Sequence, residues 1–299
     1  MMDMSSLIFE NIRIGQMRDR IANKKEENRN KPKLHSNDVL LTMDFNYAVF
    51  SDEGDSGQLL LATCKQNPSQ RYVVKHQFTD CACNEFIYAK LLQAMDCHVP
   101  ETKLFQLSPN EKRDIFLTEY VVGSHLLNVV DPVPSYETIR EEAANWTEYF
   151  SFYGFYALTG ESDGMETPLA NDGYIYRIDT TDAFPISSIQ LDCAGIARVV
   201  NGVSIKELIK KDLLEKSLDS VLPVTACDFC WNACREKDAA AFKKPFLAPF
   251  LQIQEISEGY IDDFLNTLCY FYPDFIGDYF KRYITALQKQ CAEYAKEKR

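Results

Sequence analysis

The order of hydrophobic and polar positions changes character along the chain. Residues 5–23 carry apolar side chains at roughly helical spacing, and the charged stretch 24–33 follows, which predicts an N-terminal helix and a linker. From Asp38 to about His76, turn-forming residues separate three apolar runs, VLLTMDFNYAVF, QLLLATCK and RYVVKH. Three such runs in succession predict an antiparallel β-meander.

A helix and two more strands are predicted after the meander. Apolar residues recur at steps of about three from Phe86 to Met95, and this helical pattern ends before the sequence His98-Val99-Pro100. The runs TKLFQLS and DIFLTEYVV then predict two strands, joined by the charged turn PNEKR. The first half of the chain is therefore predicted to contain strands, one helix and then strands again.

After Gly123 the pattern becomes mostly helical. The segment from Ser135 to Leu158 predicts one long helix, and the region from Ile205 to the C-terminus predicts several more. Only GYIYRIDTTDAF, which follows Asn171, interrupts them with the alternation of a hairpin. Aromatic residues recur along the last helices and are predicted to be buried: Phe264, Tyr270, Phe271, Tyr272, Phe275, Tyr279 and Phe280.

Composition narrows the range of partners. The 299 residues are 46% hydrophobic, which is ample for a packed core. An excess of 44 acidic over 32 basic residues gives a net charge of −12, so nucleic acid is a poor default partner. No apolar run approaches the roughly 18 residues of a membrane span, and the N-terminus lacks the apolar core of a secretory signal. We therefore expect a cytoplasmic protein, and delivery into another cell as an effector is not excluded.

A lysine and a glutamate are placed where a strand leads into a helix. Lys75 ends the strand-like run RYVVKH, and Glu85 lies near the start of the following helix. A strand lysine that faces a helix carboxylate is the pair that holds ATP phosphates in phosphoryl transfer. The alternative is that both are solvated surface charges, as most Lys and Glu residues are. The order strand, lysine, helix, glutamate favours the pair.

Two further segments are candidate nucleotide contacts. Gly54, Ser56 and Gly57 lie between the first two strands, where a turn that covers phosphates would be found, although an ordinary β-hairpin turn explains them equally well. In the strand IFLTEYVVG, the backbone of Glu119, Tyr120 and Val121 is a candidate for the edge of an adenine ring. A plain core strand is the alternative there, and the two interpretations are compatible.

Two aspartates complete the candidate site. Asp163 follows the long predicted helix, in a loop rich in turn formers, and Asp179 ends the alternating run YIYRI. Two carboxylates separated by a hairpin can converge on one site, with Asp163 orienting a hydroxyl group and Asp179 binding Mg²⁺. Acidic residues in loops commonly have no catalytic role. The functional interpretation of these two aspartates therefore depends on the candidate nucleotide-binding elements that precede them.

Taken together, residues 40 to 185 resemble the HipA-like atypical protein kinases and, more distantly, the phosphatidylinositol kinases. The motifs that carry the resemblance are RYVVKH, NEFIYAKLLQAMDCHVPE, FLTEYVVG and YRIDTTDAF. The resemblance implies an α+β, two-lobed protein-kinase-like fold. Residues 38–122 would form the β-rich N-lobe, residues 123–299 the mainly helical C-lobe with the catalytic loop, and residues 1–37 a preceding helix and linker.

The resemblance also implies ATP and Mg²⁺ as cofactors and a role for each candidate residue. Lys75 would contact the phosphates with Glu85 as its partner, and Glu119 to Val121 would contact the adenine. Asp163 would be the catalytic aspartate, and Asp179 would be a metal ligand.

One part of the sequence departs from the family pattern. Members carry an Asp-x-His-x-x-Asn or Asp-His-x-x-Asn run in the catalytic loop, and the residues after Asp163 contain neither the His nor the Asn. Asn171 is the nearest amide and is our candidate for the second metal ligand. Glu161 and Glu166 are nearby carboxylates that remain alternatives.

The leading functional expectation is phosphoryl transfer from ATP to serine or threonine residues of a protein, with autophosphorylation as one form of it. The altered catalytic loop leaves open a pseudokinase that binds nucleotide and acts as a scaffold or regulator. A kinase of a lipid or small molecule is a further alternative, and the net negative charge disfavours sustained contact with an anionic membrane.

Overall fold

The computed structural model describes residues 23, 36–54, 57–75, 79–108, 122–159, 161, 164–181, 183–184, 237–272 and 274–297. Within these ranges the chain forms an α+β fold, with a six-stranded sheet, a two-stranded sheet and helices packed together. Nearly all of the predicted N-terminal helix and linker lie outside the described residues. The same is true of the helices predicted between Ile205 and residue 236. None of the described helices is both long enough and apolar enough to cross a membrane.

The main sheet contains six strands. They are β1 (Val39–Leu41), β2 (Phe45–Gly54), β3 (Gly57–Cys64), β4 (Arg71–Lys75), β5 (Thr102–Gln106) and β6 (Val122–His125). The spatial order is β1-β5-β6-β4-β3-β2, with β1 parallel to β5 and every other pair antiparallel. The predicted meander of β2, β3 and β4 is confirmed.

The prediction of a single first strand is wrong, because VLLTMDFNYAVF forms two strands. A 3₁₀ turn at Thr42–Asp44 separates β1 from β2, and the Thr42 hydroxyl donates to the Gln106 carbonyl at 3.3 Å. The two strands lie at opposite edges of the sheet, yet only three residues join them, a span of roughly 10 Å even when fully extended. The sheet must therefore curl so that its edges approach each other.

Alternation along β4 gives each face of the curled sheet a different environment. Tyr72 and Val74 are buried in a small cluster inside the curl, together with Phe45 and Phe105. The intervening residues of β4, which include Lys75, are only partly buried and point to the opposite face. A strand lysine is thereby presented on the face where the next helix packs.

The remaining elements follow in chain order. They are helix α1 (Thr79–Ala94), the two-stranded sheet of β7 (Val129–Asp131) and β8 (Leu169–Ala170), and helices α2 (Tyr136–Glu142), α3 (Glu148–Thr159), α4 (Ala239–Gln252), α5 (Glu258–Phe271) and α6 (Asp274–Glu297). Helix α1 confirms the predicted helix and is buried on every side, since Phe86, Ile87 and Tyr88 are all fully buried. A helix enclosed in this way can hold a charged group in a fixed position.

The long helix predicted from Ser135 to Leu158 is instead two helices. The chain leaves helical geometry after Ala143, where the Asn145 carboxamide donates to the Ile175 carbonyl at 3.0 Å and accepts from the Ile175 N–H at 2.9 Å. A side-chain amide that replaces a strand partner in this way competes with helix continuation. The break ties helices α2 and α3 to the segment 166–178, whose two arms pair through bridges at Glu166–Ile178 and Leu169–Ile175.

The C-terminal helices confirm the predicted aromatic core. Phe264, Phe271, Tyr272, Tyr279 and Phe280 are all buried in the main hydrophobic cluster, which also contains α1 and α3. Tyr270 is partly buried against it, and the Phe275 side chain lies outside the described part of the chain.

Helices α3 and α4 approach each other closely in this core. Pro249 has no N–H to donate to the Pro245 carbonyl, and the Ser151 hydroxyl donates to that carbonyl instead, at 3.0 Å. Beside this contact, a Cβ atom at Gly154 would lie 2.0 Å from the Phe246 carbonyl oxygen. Only glycine fits at this crossing.

We predict that Gly154→Ala destabilises the protein by about 1–3 kcal/mol, because the added methyl group must push apart two packed helices. The free energy of unfolding in urea measures the effect. Gly259→Ala is the matched control, since a Cβ atom there meets nothing within 4 Å in the first turn of α5. The control should leave stability unchanged or raise it by less than about 1 kcal/mol. Equal effects of the two substitutions would contradict the close approach.

Candidate functional site

A cavity of about 250 Å³ opens between the curled sheet, helix α1 and the segment that follows β8. Its walls come from strands β2, β3, β4 and β6, from α1, and from the chain after β6. Most of the lining is apolar: Phe50, Leu59, Val73, Ala89, Val99, Pro100, Leu126, Leu127, Val129 and Ile178. Charged side chains also line it: Lys75, Glu85, Glu166, Arg177 and Asp179. An apolar cavity with a few convergent polar groups is the usual form of a small-molecule site.

Lys75 lies between two carboxylates in this cavity. Its Nζ atom is 3.4 Å from Glu85 Oε2 and 3.1 Å from Asp179 Oδ1. Burial opposes the charge on the lysine, but the carboxylates of Glu85 and Asp179 outweigh it and raise the pKa of Lys75 above its usual value. The ammonium group is therefore charged at neutral pH. The structure thus brings together three of the residues predicted from the sequence.

The position of Glu85 is fixed from two directions. Helix α1 buries the side chain, and the Ser124 hydroxyl on β6 donates to Glu85 Oε1 at 3.1 Å while Lys75 contacts the other oxygen. A buried carboxylate with a hydrogen-bond donor on one oxygen and a cation on the other is held in a single rotamer. Glu85 thereby orients Lys75 toward the cavity.

Asp179 follows the hairpin-like segment in a backbone conformation that few residues adopt. Its φ angle is +51°, in the left-handed region, which costs a non-glycine residue on the order of 1 kcal/mol. The surrounding contacts therefore have to hold it there. Two residues later, the Thr181 carbonyl accepts a hydrogen bond from the Asn84 side chain of helix α1 at 2.7 Å.

A buried ion pair lies directly beside Asp179. Arg177 and Glu161 are both inaccessible to solvent, and Arg177 Nη2 donates to Glu161 Oε1. Burial opposes the charge of the arginine, and the Glu161 carboxylate more than compensates, raising the pKa of Arg177. The guanidinium also lies over the ring of Tyr88 on helix α1, 5.7 Å from its centroid. Burial and the Glu161 carboxylate both raise the pKa of the Tyr88 hydroxyl.

Two sets of predicted site residues lie wholly or partly outside the described part of the chain. Asp163 lies outside it, and so do Glu119, Tyr120 and Val121. Gly54 and Gly57 are described as strand ends that pair with each other across the β2–β3 hairpin, and Ser56 between them is outside the described residues. The roles predicted for these residues remain predictions.

Asn171 does not line the cavity. It is exposed in the turn after β8, where its backbone N–H donates to the Asn128 carbonyl at 2.8 Å. Of the two carboxylates kept as alternatives, Glu161 is bound by Arg177, and Glu166 lines the cavity with Asp179. The acidic alternative at Glu166 therefore fits the geometry better than the amide.

Sequence reasoning missed three contributors to the site. The strand next to β4 is Val122–His125, and the chain that lines the cavity just after it is Leu126 and Leu127. These two residues come later in the sequence than Glu119 to Val121, which were predicted to contact adenine. Ser124 and Arg177 were also missed. A serine in a strand carries no distinctive signal, and Arg177 lies in an alternating run that reads as a half-exposed strand. Only the tertiary contacts identify their roles.

The donor groups fit one divalent cation of the magnesium type. Mg²⁺ is commonly held by one or two protein carboxylates together with substrate phosphates and water. Asp179 provides one such carboxylate at the cavity, and Glu166 lies on the same lining. No group of three His, Cys, Asp or Glu residues converges anywhere in the described ranges.

Comparison with known proteins gives little further information. No family model matches the chain, and no curated protein matches it. Among solved structures, it shows a distant likeness to the Helicobacter pylori proinflammatory kinase CtkA, with a TM-score of 0.35 and 14% sequence identity. The match covers 88% of this chain and 99% of that one. At this TM-score and identity, the likeness assigns neither a fold family nor a function.

We predict that Glu161→Gln destabilises the protein by roughly 3–5 kcal/mol, because it leaves the buried Arg177 charge without its counter-ion. Urea unfolding of Glu161→Gln, Arg177→Met and the double variant forms a mutant cycle. The double variant should lose less stability than the sum of the two single variants. Glu137→Gln is the matched control, since its ion pair with Lys237 is exposed and should contribute nothing measurable. Additive single effects would contradict a coupled pair.

Proposed function

We propose that this protein binds Mg²⁺ and ATP in the cavity and transfers the terminal phosphoryl group to a serine or threonine of a protein, in the manner of a two-lobed kinase. The observation that carries the proposal is the contact of Lys75 Nζ with both Glu85 and Asp179 at the polar end of an apolar cavity. One cation and two carboxylates from strand, helix and loop are the parts that phosphoryl transfer requires.

The proposed lobes follow from where the cavity lies. Residues 38–122 would supply the sheet and helix α1 above the nucleotide, and residues 123–299 would supply the helices and the segment 164–181 below it. Leu59, Val73 and Val129 line the cavity and suit the faces of an adenine ring. Among the described residues, no hydrogen bond uses the backbone groups of Leu127, so these are suited to the polar edge of the ring.

In the proposed reaction, some side chains of the site would supply charge and others would fix the position of a reacting group. Lys75 would turn its ammonium from Asp179 to the phosphates, while Glu85 retains it. Asp179, freed from Lys75, would ligate Mg²⁺, with Glu166 as our candidate for the second acidic ligand. When bound, Mg²⁺ supplies the positive charge that stabilises the phosphate oxygens. Asp163 is proposed to orient the attacking hydroxyl group.

A second candidate function is nucleotide binding without transfer. Two observations favour it: the run after Asp163 lacks the His and Asn of the family pattern, and Asn171 is exposed away from the cavity. A protein with the phosphate-binding lysine but an incomplete metal site would still bind ATP, and would act as a scaffold or regulator.

We predict that ATP with Mg²⁺ raises the melting temperature of the wild-type protein and that Lys75→Met abolishes most of this rise. The reason is that Lys75 would be the principal cation on the phosphates, and a ligand stabilises only the state that binds it. Differential scanning fluorimetry with ATP, with and without Mg²⁺, makes the measurement.

Lys103→Met is the matched control for that experiment. Lys103 is more deeply buried than Lys75 and pairs with Asp38 and Glu101, but it does not line the cavity. This variant should be less stable yet keep the ATP-dependent rise. Absence of any shift in the wild-type protein would overturn both candidate functions.

We predict, for the transferring form of the proposal, that purified protein labels itself or a generic protein substrate with the terminal phosphate of ATP. Asp179→Ala should reduce the labelling by at least about 100-fold, because it removes the metal ligand that is required for charge stabilisation. Labelling that survives this substitution would contradict the assigned role of Asp179. Binding without labelling would select the second candidate function.

A further inference from the structure

Arg177 contacts each part of the chain that borders Asp179. We infer that Arg177 is a positioning residue that sets Asp179 for metal-dependent nucleotide binding, an inference that rests on the proposed function. Its guanidinium group contacts the loop of Asp179, Glu161 beyond the end of helix α3, and helix α1, which carries Glu85. No other described cation of the cavity is completely buried.

The backbone around Asp179 converges on one nitrogen atom of Arg177. Nη1 donates to the carbonyl of Ile178, lies 3.2 Å from the carbonyl oxygen of Glu166, and is 3.5 Å from that of Asp179 itself. Carbonyl dipoles that point at a single atom repel each other unless a positive charge lies at their focus. The arginine therefore stabilises the left-handed backbone of Asp179, which is unfavourable in isolation.

The charge of Arg177 is compensated inside the protein. Glu161 neutralises it, and the guanidinium group has no solvent exposure. The phosphates of a bound nucleotide would therefore meet Lys75, and Arg177 would act through Asp179. The roles of the two residues can therefore be distinguished by experiment. Loss of Lys75 would weaken nucleotide binding in all conditions, whereas loss of Arg177 would weaken only the affinity gained from the metal ion.

The same arginine links the loop to the helix that holds Glu85. Its cation–π contact is with Tyr88, one turn after Glu85 on helix α1, and Asn84 of that helix binds the Thr181 carbonyl. The loop is thus fastened to α1 on both sides of Asp179. The carboxylate that would bind the metal and the carboxylate that holds the lysine keep a fixed separation.

The test is the ratio of ATP affinities measured with Mg²⁺ and with EDTA. Arg177→Lys keeps the positive charge beside Glu161, but a point charge cannot reproduce the planar donor fork. We expect the ratio to fall by about tenfold, the usual effect of removing an outer-shell partner of a metal ligand. The affinity in EDTA should stay within about twofold of the wild-type value, and Asp179→Asn should abolish most of the ratio. Adding Arg177→Lys to Asp179→Asn should then have little further effect.

Two further variants keep the outcome interpretable. Lys90→Met removes another buried lysine, which pairs with Asp38 at 2.5 Å outside the cavity lining, and it should lower stability without changing the ratio. If Arg177→Lys does not fold, the neutral pair Arg177→Gln with Glu161→Gln takes its place, with the same expected loss. A wild-type ratio in either folded variant would overturn this inference alone. Absence of ATP binding by the wild-type protein would overturn it together with the proposed function.

Discussion

The contact of the Lys75 ammonium with two carboxylates joins parts of the chain that are far apart in sequence. Strand β4 supplies the cation, helix α1 supplies Glu85 ten residues later, and Asp179 comes from a loop 104 residues after Lys75. A buried ammonium group without partners would be strongly unfavourable, so the register of β4, the burial of α1 and the loop conformation must all agree. The rest of the site is arranged around this requirement.

Local patterns predicted much of the sheet and the first two residues of this contact. The strand-like run RYVVKH identified β4, and three-residue steps identified α1, so Lys75 and Glu85 could be assigned as a pair. The alternating run before Asp179 also located that carboxylate. These features were accessible because each depends on the periodicity of a single element.

The features that could not be predicted from the sequence depend on contacts between distant elements. The break between helices α2 and α3 follows from the Asn145 carboxamide binding the Ile175 backbone, and that partner lies outside the segment 135–158. Arg177 was equally hidden, because a charged residue in an alternating strand normally faces water. Its burial requires Glu161, which local periodicity does not relate to it. Asn171 was chosen by proximity in sequence, and the turn after β8 takes it away from the cavity lining.

The charge balance of the cavity supports the metal ion of the proposed function. Among the described lining residues, the carboxylates of Glu85, Asp179 and Glu166 outnumber the ammonium of Lys75, while Glu161 offsets Arg177. The described lining is therefore net negative, and in the proposed function a triphosphate would be repelled unless a divalent cation came with it. The backbone carbonyl of Glu166 accepts hydrogen bonds from both Arg177 and the Ile178 N–H. These contacts fix Glu166 beside Asp179. In the proposed function, a carboxylate at this position adds one negative charge, which would make nucleotide binding depend on the metal ion.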